Sequence, residues 1–585
     1  MLSIKKIMEI LPKGFKIKLV FLMVLIFVGM IFEILGIGVL LPALTAILQP
    51  NILLENPEIK TFLSRLGLVN KSDITFFLLG LLVSIYLIKS AFLLWSNRWQ
   101  NRTNSGLIET LSNDLYERYI NQNYLFHVSK NSSEIIKIFQ VDVNYFNTFL
   151  IAIIYLISEA SIVISVVLSL CFIAPIGTLS ILTTFAFFSS LYYVISKKLS
   201  SKWGVQREQN DKKLAKHWIE TFSGIKEVMI TNSLFKFSNL NKEMNFIKSK
   251  LAAKYLTFSQ VPRYYLEMVT VLAFTVFIIV YINQGKQVET LIVTLGVFVA
   301  ATLRILPSIN RILTSLQQIK YYESSVDVIY KELNSLSKHN SNCQGINSRT
   351  ITLERNLKLE SVFFDYSKER LPLLQNVNLQ VNKGDFIGII GNSGSGKSTL
   401  INIIAGLISP DKGSILIDGK PLKTNDFYFW RSNIGYVSQH TFLLDSTIYE
   451  NVAFGVPKAD ISKSRVTEAL QDAQLMDFIN TLPEGINTKV GERGVQFSGG
   501  QQQRIGIARA LYRKPKLLIL DEATSALDGD TENEIMNSIA NLKQKTTIIM
   551  VTHRHSTLKN CTNIFSLKDG KLFANHKKPI SVESK

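Results

Sequence analysis

Three short strings in the second half of the chain hold residue types suited to phosphate chemistry: GNSGSGKS at Gly391–Ser398, FSGGQ at Phe497–Gln501 and LLILDE at Leu517–Glu522. The first has the GxxxxGKS spacing of a phosphate loop, set between a buried strand, DFIGII at Asp385–Ile390, and a helix over Lys397–Leu407. Its glycines let backbone N–H groups curl around a phosphate, and the helix N-terminus adds a favourable partial charge. Gly391, Asn392, Ser393, Gly394, Ser395, Gly396, Lys397, Ser398 and Thr399 are thus expected to hold ATP. Lys397 would reach the β and γ phosphates, and Ser398 would offer its hydroxyl to Mg²⁺. The LLIL run reads as a second buried strand ending in two carboxylates. Asp521, just past the strand end, is expected to hold the metal directly or through water, leaving Glu522 to polarise an attacking water.

These residues need an α/β domain to position them. Downstream of Lys331 the apolar runs are short and separated by Gly, Asp and Lys, as such a domain requires. Upstream they are long. The 585 residues therefore divide into a membrane half, 1–330, a polar Ser- and Asn-rich linker, 331–349, and an ATP-binding half, 350–585. A formal charge of +19 lies mostly between apolar runs, which favours anionic lipid headgroups over nucleic acid. Cys171, Cys343 and Cys561 lack CxxC spacing and give neither a disulfide framework nor a zinc site.

Six stretches reach the roughly 20 residues that cross a bilayer as a helix: 19–48, 74–95, 149–171, 173–194, 265–282 and 291–306. The first is too long for a signal sequence and reads as an uncleaved span. Only Ala174, Pro175 and Gly177 mark the bend between the third and fourth. The connections 96–148 and 197–263 are rich in Lys and Arg, which places them and the N-terminus in the cytoplasm. In the outer connection, Ile59, Phe62, Leu63 and Leu66 share a helical face, either packed on the protein or lying in the interface. Lys89, Arg263 and Arg304 fall in or beside spans. Three readings stand for them: lining a cavity for negatively charged cargo, snorkelling from a helix end, or pairing internally, for example with Glu33.

With these strings in place, the chain resembles an ATP-binding cassette exporter of the half-transporter type: a six-helix transmembrane domain, type I exporter-like, followed by an α/β P-loop ATPase domain. FSGGQ resembles the family signature LSGGQ, with Phe497 at a packing position. The resemblance implies that Tyr366 stacks on adenine and that Gln439 is the Q-loop glutamine at the metal and the attacking water. It likewise makes Asp528 the D-loop aspartate, His553 the switch histidine and Glu492 part of a loop touching the membrane domain. It further implies a homodimer in which Ser498, Gly499, Gly500 and Gln501 of one subunit close over ATP held by the other. Closure would reach the spans through short coupling helices, expected near Asn121–His127 and within Lys212–Phe222.

For cargo, VPRYYLE, LRILPSINRI and YYESSVDVIY resemble the membrane half of PglK-type flippases for lipid-linked oligosaccharides. That implies an ATP-driven flippase of a polyprenyl-diphosphate glycan in the bacterial cytoplasmic membrane, with Lys89, Arg263 and Arg304 attracting the diphosphate. An exporter of peptides, drugs or other lipids, and an ATP-gated channel, are the other readings.

Overall fold

The computed structural model describes residues 2–48, 71–173, 175–283, 288–336, 351–366, 372–491, 494–524, 529–541, 546–554 and 557–575. The chain divides into two units, Met1–Gln122 with Phe126–His339, and Asn123–Leu125 with Asn340–Lys585. The amphipathic segment 59–66, Glu492 and Asp528 lie outside the described residues.

The first unit is helical: α1 (Leu2–Ile10), α2 (Lys13–Leu48), α3 (Lys71–Ile120), α4 (Tyr124–Ser129), α5 (Ser132–Lys137), α6 (Val143–Ile173), α7 (Pro175–Ser223), α8 (Ile225–Ile230), α9 (Leu234–Asn283) and α10 (Val288–Ser335). By length and composition, Gly14–Gly36, Asp73–Ile120, Ser132–Phe172 and Leu234–Ile279 can cross a membrane. The fourth and sixth expected spans lie in α7 and α10, where some side chains fall outside the described residues. Helix α6 is described to Ile173 and α7 from Pro175, a residue whose missing N–H is tolerated in the first turn of a helix.

The long polar connections are not loops but continuations of the spanning helices. A 50-residue helix such as α3 is about 75 Å long, well over twice the ~30 Å hydrocarbon core. Its polar half stays helical because Leu107, Leu111, Leu115 and Tyr119 recur every fourth residue and are all buried. Between α5 and α6, residues Ile138–Asp142 form a π turn. That widening suits a pairing of Lys137 with Asp142, five residues on, at 2.9 Å; Lys137 also bonds Glu208 of α7 at 3.0 Å. Next to Glu208 in α7, buried Arg207 sits 4.0 Å from the centre of the Tyr145 ring and 4.8 Å from those of Tyr321 and Tyr322, tying α6, α7 and α10 together.

Short helices do interrupt the polar extensions. The first, α4, agrees closely with the expected Asn121–His127. The second corrects the sequence reading: α7 continues unbroken through Lys212–Phe222, and the break comes at Gly224, followed by α8. Likewise α10 runs to Ser335, into the stretch read as linker.

The second unit carries two sheets. β1 (Asn356–Phe364) pairs antiparallel with β2 (Leu374–Asn382) and with β4 (Lys412–Ile417), which also pairs with β5 (Lys420–Pro421). The six-stranded sheet runs β10 (Lys571–Asn575), β9 (Asn563–Lys568), β3 (Phe386–Ile390), β8 (Thr547–Val551), β7 (Leu517–Asp521), β6 (Ile434–Val437). Strands β9, β3, β8, β7 and β6 run parallel, with only β10 antiparallel at its edge, and every residue of β7 and β8 is buried, as a continuous apolar run demands.

Candidate functional site

Parallel pairing puts the C-terminal ends of β3, β8, β7 and β6 side by side: Ile389 registers with Val551, Val551 with Asp521, and Leu520 with Val437. Ligands of open α/β sheets bind beyond those ends. The phosphate loop follows β3, Asp521 closes β7 and Glu522 follows it, Gln439 lies two residues past β6, and His553 two past β8.

The loop runs from β3 into α11 (Lys397–Ile404). Gly394 and Gly396 have φ of +79° and +99°, the left-handed region where a Cβ is penalised. A Cβ on Gly391 would lie 2.5 Å from the Leu567 carbonyl oxygen. Lys397 is buried and folds back, its Nζ donating to the carbonyls of Gly391 at 2.8 Å and Asn392 at 2.9 Å. Burial pulls its pKa below the ordinary lysine value, against the opposing pull of Glu522 and Asp521. Ser395 Oγ is buried and has no hydrogen-bond partner, while Ser398 at the helix start is exposed. A glycine-bent loop with a buried hydroxyl that has no partner among the described residues and a lysine bonded to backbone carbonyls fits a polyphosphate.

Glu522 is the hub of the remaining contacts. Its Oε2 accepts from Gln439 Nε2 at 2.7 Å and its Oε1 lies 3.2 Å from His553 Nε2. Its φ is +50°, a strained position for a residue with a Cβ, the kind of strain found where a side chain must be aimed. Asp521 is buried, which pushes its carboxyl above the usual range; Tyr436 opposes this by donating to Oδ2 at 3.2 Å. Sequence reading passed over Tyr436, although its place three residues before Gln439 on a strand beside β7 was a usable signal. Asp521, Ser398 and Gln439 offer oxygen donors of the kind Mg²⁺ takes.

The remaining expected contacts stand apart. Tyr366 is half exposed, its hydroxyl 3.2 Å from Thr399 Oγ1. Ser498 caps α12 (Gly499–Tyr512), with Ser498 Oγ accepting from the Gln501 N–H at 3.3 Å and Gln501 Oε1 accepting from the Ser498 N–H at 2.8 Å. Among the described residues no hydrogen bond joins Ser498–Gln501 to the phosphate loop, Asp521 or Glu522. The signature thus presents a capped, solvent-facing helix start.

In the helical unit Lys89 and Arg304 converge on one buried carboxylate. Lys89 Nζ lies 2.9 Å from Glu33 Oε2, and Arg304 Nη2 bonds Glu33 Oε1. Arg304 is part exposed and its Nε is unpartnered. Arg263 is not brought to them; it pairs with Glu267 at 3.6 Å on an exposed face of α9. Sequence reading did not single out Arg311, one heptad beyond Arg304 on α10. It donates to buried Glu159 of α6 at 2.6 Å and remains mostly exposed.

Fold and site together have the architecture of a type I ABC exporter, a helical transmembrane region followed on one chain by a nucleotide-binding region. Residues 17–304 match the family described as ABC transporter transmembrane region, and 374–525 the family described as ABC transporter. A bacterial Atm1-family ABC exporter solved with ATP bound superimposes with a TM-score of 0.72, over 94% of each chain at 22% identity, a likeness of fold. The ATP-dependent lipid A-core flippase of Saccharophagus degradans is 34% identical over 314 residues, 54% of this chain and 51% of that protein. The α-hemolysin translocation ATP-binding protein HlyB of Escherichia coli O157:H7 is 44% identical over 218 residues, 37% of this chain and 31% of that one. The chain thus spans about a third to a half of the length of such curated relatives.

Proposed function

We propose that the protein is an ATP-driven flippase that moves a polyprenyl-diphosphate-linked oligosaccharide across the bacterial cytoplasmic membrane, working as a homodimer. Bound ATP with Mg²⁺ supplies the free energy of the β–γ phosphate bond and a metal centre that neutralises charge developing there. The chain does the rest. Lys397 exchanges the Gly391 and Asn392 carbonyls for phosphate oxygens, Ser395 and the loop N–H groups complete the cradle, and Tyr366 packs on the base. Ser398, Asp521 and Gln439 would hold the metal. Glu522, aimed by Gln439 and His553, orients a water and draws on its proton. Ser498, Gly499, Gly500 and Gln501 of the partner subunit close the site with Asp528, and α4 and α8 pass that closure to the spans.

The observation that carries the cargo assignment is the shared carboxylate: two span cations, Lys89 and Arg304, meet one Glu33, leaving a positive charge over. An uncompensated charge at that depth is costly, and an anionic headgroup offsets it. Arg263, separately placed, meets the same headgroup at another stage of its passage. The lipid A-core flippase relative supports a lipid as cargo. The test is flipping of a fluorescent polyprenyl-diphosphate glycan in proteoliposomes, with Lys89, Arg263 and Arg304 each replaced by Gln. Rates should fall at least tenfold for Arg304→Gln. Undiminished rates in all three would remove the cation role. The HlyB relative favours a second reading, polypeptide export, which gains if ATPase activity responds to peptides and ignores the glycolipid.

A further inference from the structure

Tryptophan and arginine alternate along α3 at Trp95, Arg98, Trp99 and Arg102. Steps of three and four residues put all four on one face of the helix. Arg98 and Arg102 are exposed, and Trp95 is 51% exposed. Helix α2 runs antiparallel beside it. Three contacts fix their register: Phe21 with Trp99 at 4.7 Å between ring centres, Phe32 with Phe92 at 5.4 Å, and Glu33 with Lys89. The start of α2, bearing exposed Lys16 and Lys18, is thereby level with Arg102. At 1.5 Å per residue the four cations lie within about 10 Å along the helix axes.

The two helix segments that carry this shelf supply no countercharge of their own. Neither 10–32 nor 74–108 contains an acidic residue. Among the described residues, none of Lys16, Lys18, Arg98 and Arg102 joins an ion pair; Lys18 lies 4.6 Å from the Phe15 ring centre. Like charges gathered by helix pairing repel, and an anion seated among them reverses the sign of that interaction. Depth identifies the anion's source. The expected span 74–95 ends at Trp95, so Arg98 and Arg102 stand three and seven residues past it, about 5 and 10 Å along the helix. That is the headgroup level, where tryptophans also settle.

We propose that Arg98, Arg102, Lys16 and Lys18 form a binding site for the anionic headgroup of a glycerophospholipid of the cytoplasmic leaflet, with Trp95 and Trp99 at the depth of its glycerol. The site is separate from the Glu33 cluster that the flippase reading uses, so either can fail without the other.

The experiment is native mass spectrometry of the full-length protein released from nanodiscs of mixed phosphatidylglycerol and phosphatidylcholine. The wild type should retain phosphatidylglycerol in preference, and Arg98→Gln/Arg102→Gln should lose that preference by about tenfold or more. Arg98→Lys/Arg102→Lys should keep most of it. Should the Gln pair not fold, Lys16→Gln/Lys18→Gln tests the other wall and should also lower retention. Equal retention by the wild type and a folded neutral variant overturns the proposal. Displacement of the lipid by inorganic diphosphate also overturns it, in favour of a free-anion site.

Discussion

Glu33 is where the membrane unit concentrates its electrostatic risk. A buried carboxylate holding two cations is tolerable only while all three are present, because removing the acid strands Lys89 in an apolar span. Glu33→Gln should therefore destabilise the helical unit by about 3–5 kcal/mol, read as a lower denaturant midpoint in detergent or lipid, whereas Glu33→Asp should cost less. Asp521 carries the opposite signature. Its carboxyl titrates above the usual range because burial disfavours the ionised form. A raised folded-state pKa means that ionised Asp521 costs stability above that pKa, a cost that vanishes below the unfolded-state value. Asp521→Asn should thus raise the thermal midpoint of nucleotide-free protein at pH 7–8, with the gain fading as the pH falls from the raised folded-state pKa to the unfolded-state value of about 4. Adding Mg·ATP should erase the advantage, since only the carboxylate serves the metal. The carboxylates, the glycine loop and the lysine were legible because their chemistry is written in adjacent residues. The choice among three readings for Lys89 and Arg304 was not, because it depends on the register of α2 against α3 and on α10 arriving from 271 residues away.

At the scale of elements, two strands of the six-stranded sheet and one of the four-stranded sheet were plainly legible: DFIGII and LLIL announce buried strands, and LKLESVFF alternates as a half-buried one. The polar extensions were harder. Their buried stripe is written in leucines four apart, yet the same residues are dense in Lys, Glu and Asn, and polarity reads as a connection unless the period is weighed. The break at Gly224 illustrates the limit: a single glycine between two helix-forming stretches has no signal stronger than the tertiary contacts around it. One such contact is testable. Gly204 of α7 lies so close to α10 that a Cβ would clash with the Tyr321 carbonyl, and backbone on both sides leaves nothing flexible to yield. Gly204→Ala should lower the thermal midpoint by several degrees or force α7 and α10 apart. Gly80→Ala, with nothing within 4 Å of its Cβ, should leave it unchanged.

At the scale of the whole molecule, no hydrogen bond among the described residues joins the signature residues Ser498–Gln501 to the phosphate loop, which is the arrangement expected if each works on the other's copy. The proposed head-to-tail homodimer makes a sharp prediction. Lys397→Ala cripples the loop and Ser498→Arg blocks the signature, so each variant alone should hydrolyse ATP at least a hundredfold more slowly than the wild type. Co-expressed with different tags and purified through both, the two variants give mixed dimers. If sites form between subunits, one site in each mixed dimer combines both lesions and the other combines an intact loop with an intact signature. Activity should then return to a substantial fraction of wild type, measured as phosphate release from doubly tagged material in lipid. If loop and signature serve one nucleotide within a chain, every site in the mixture carries one lesion and activity stays at the level of the single variants. Flipping measured on the same mixed dimers then asks how many working sites transport requires, since one intact site either moves cargo or only consumes ATP.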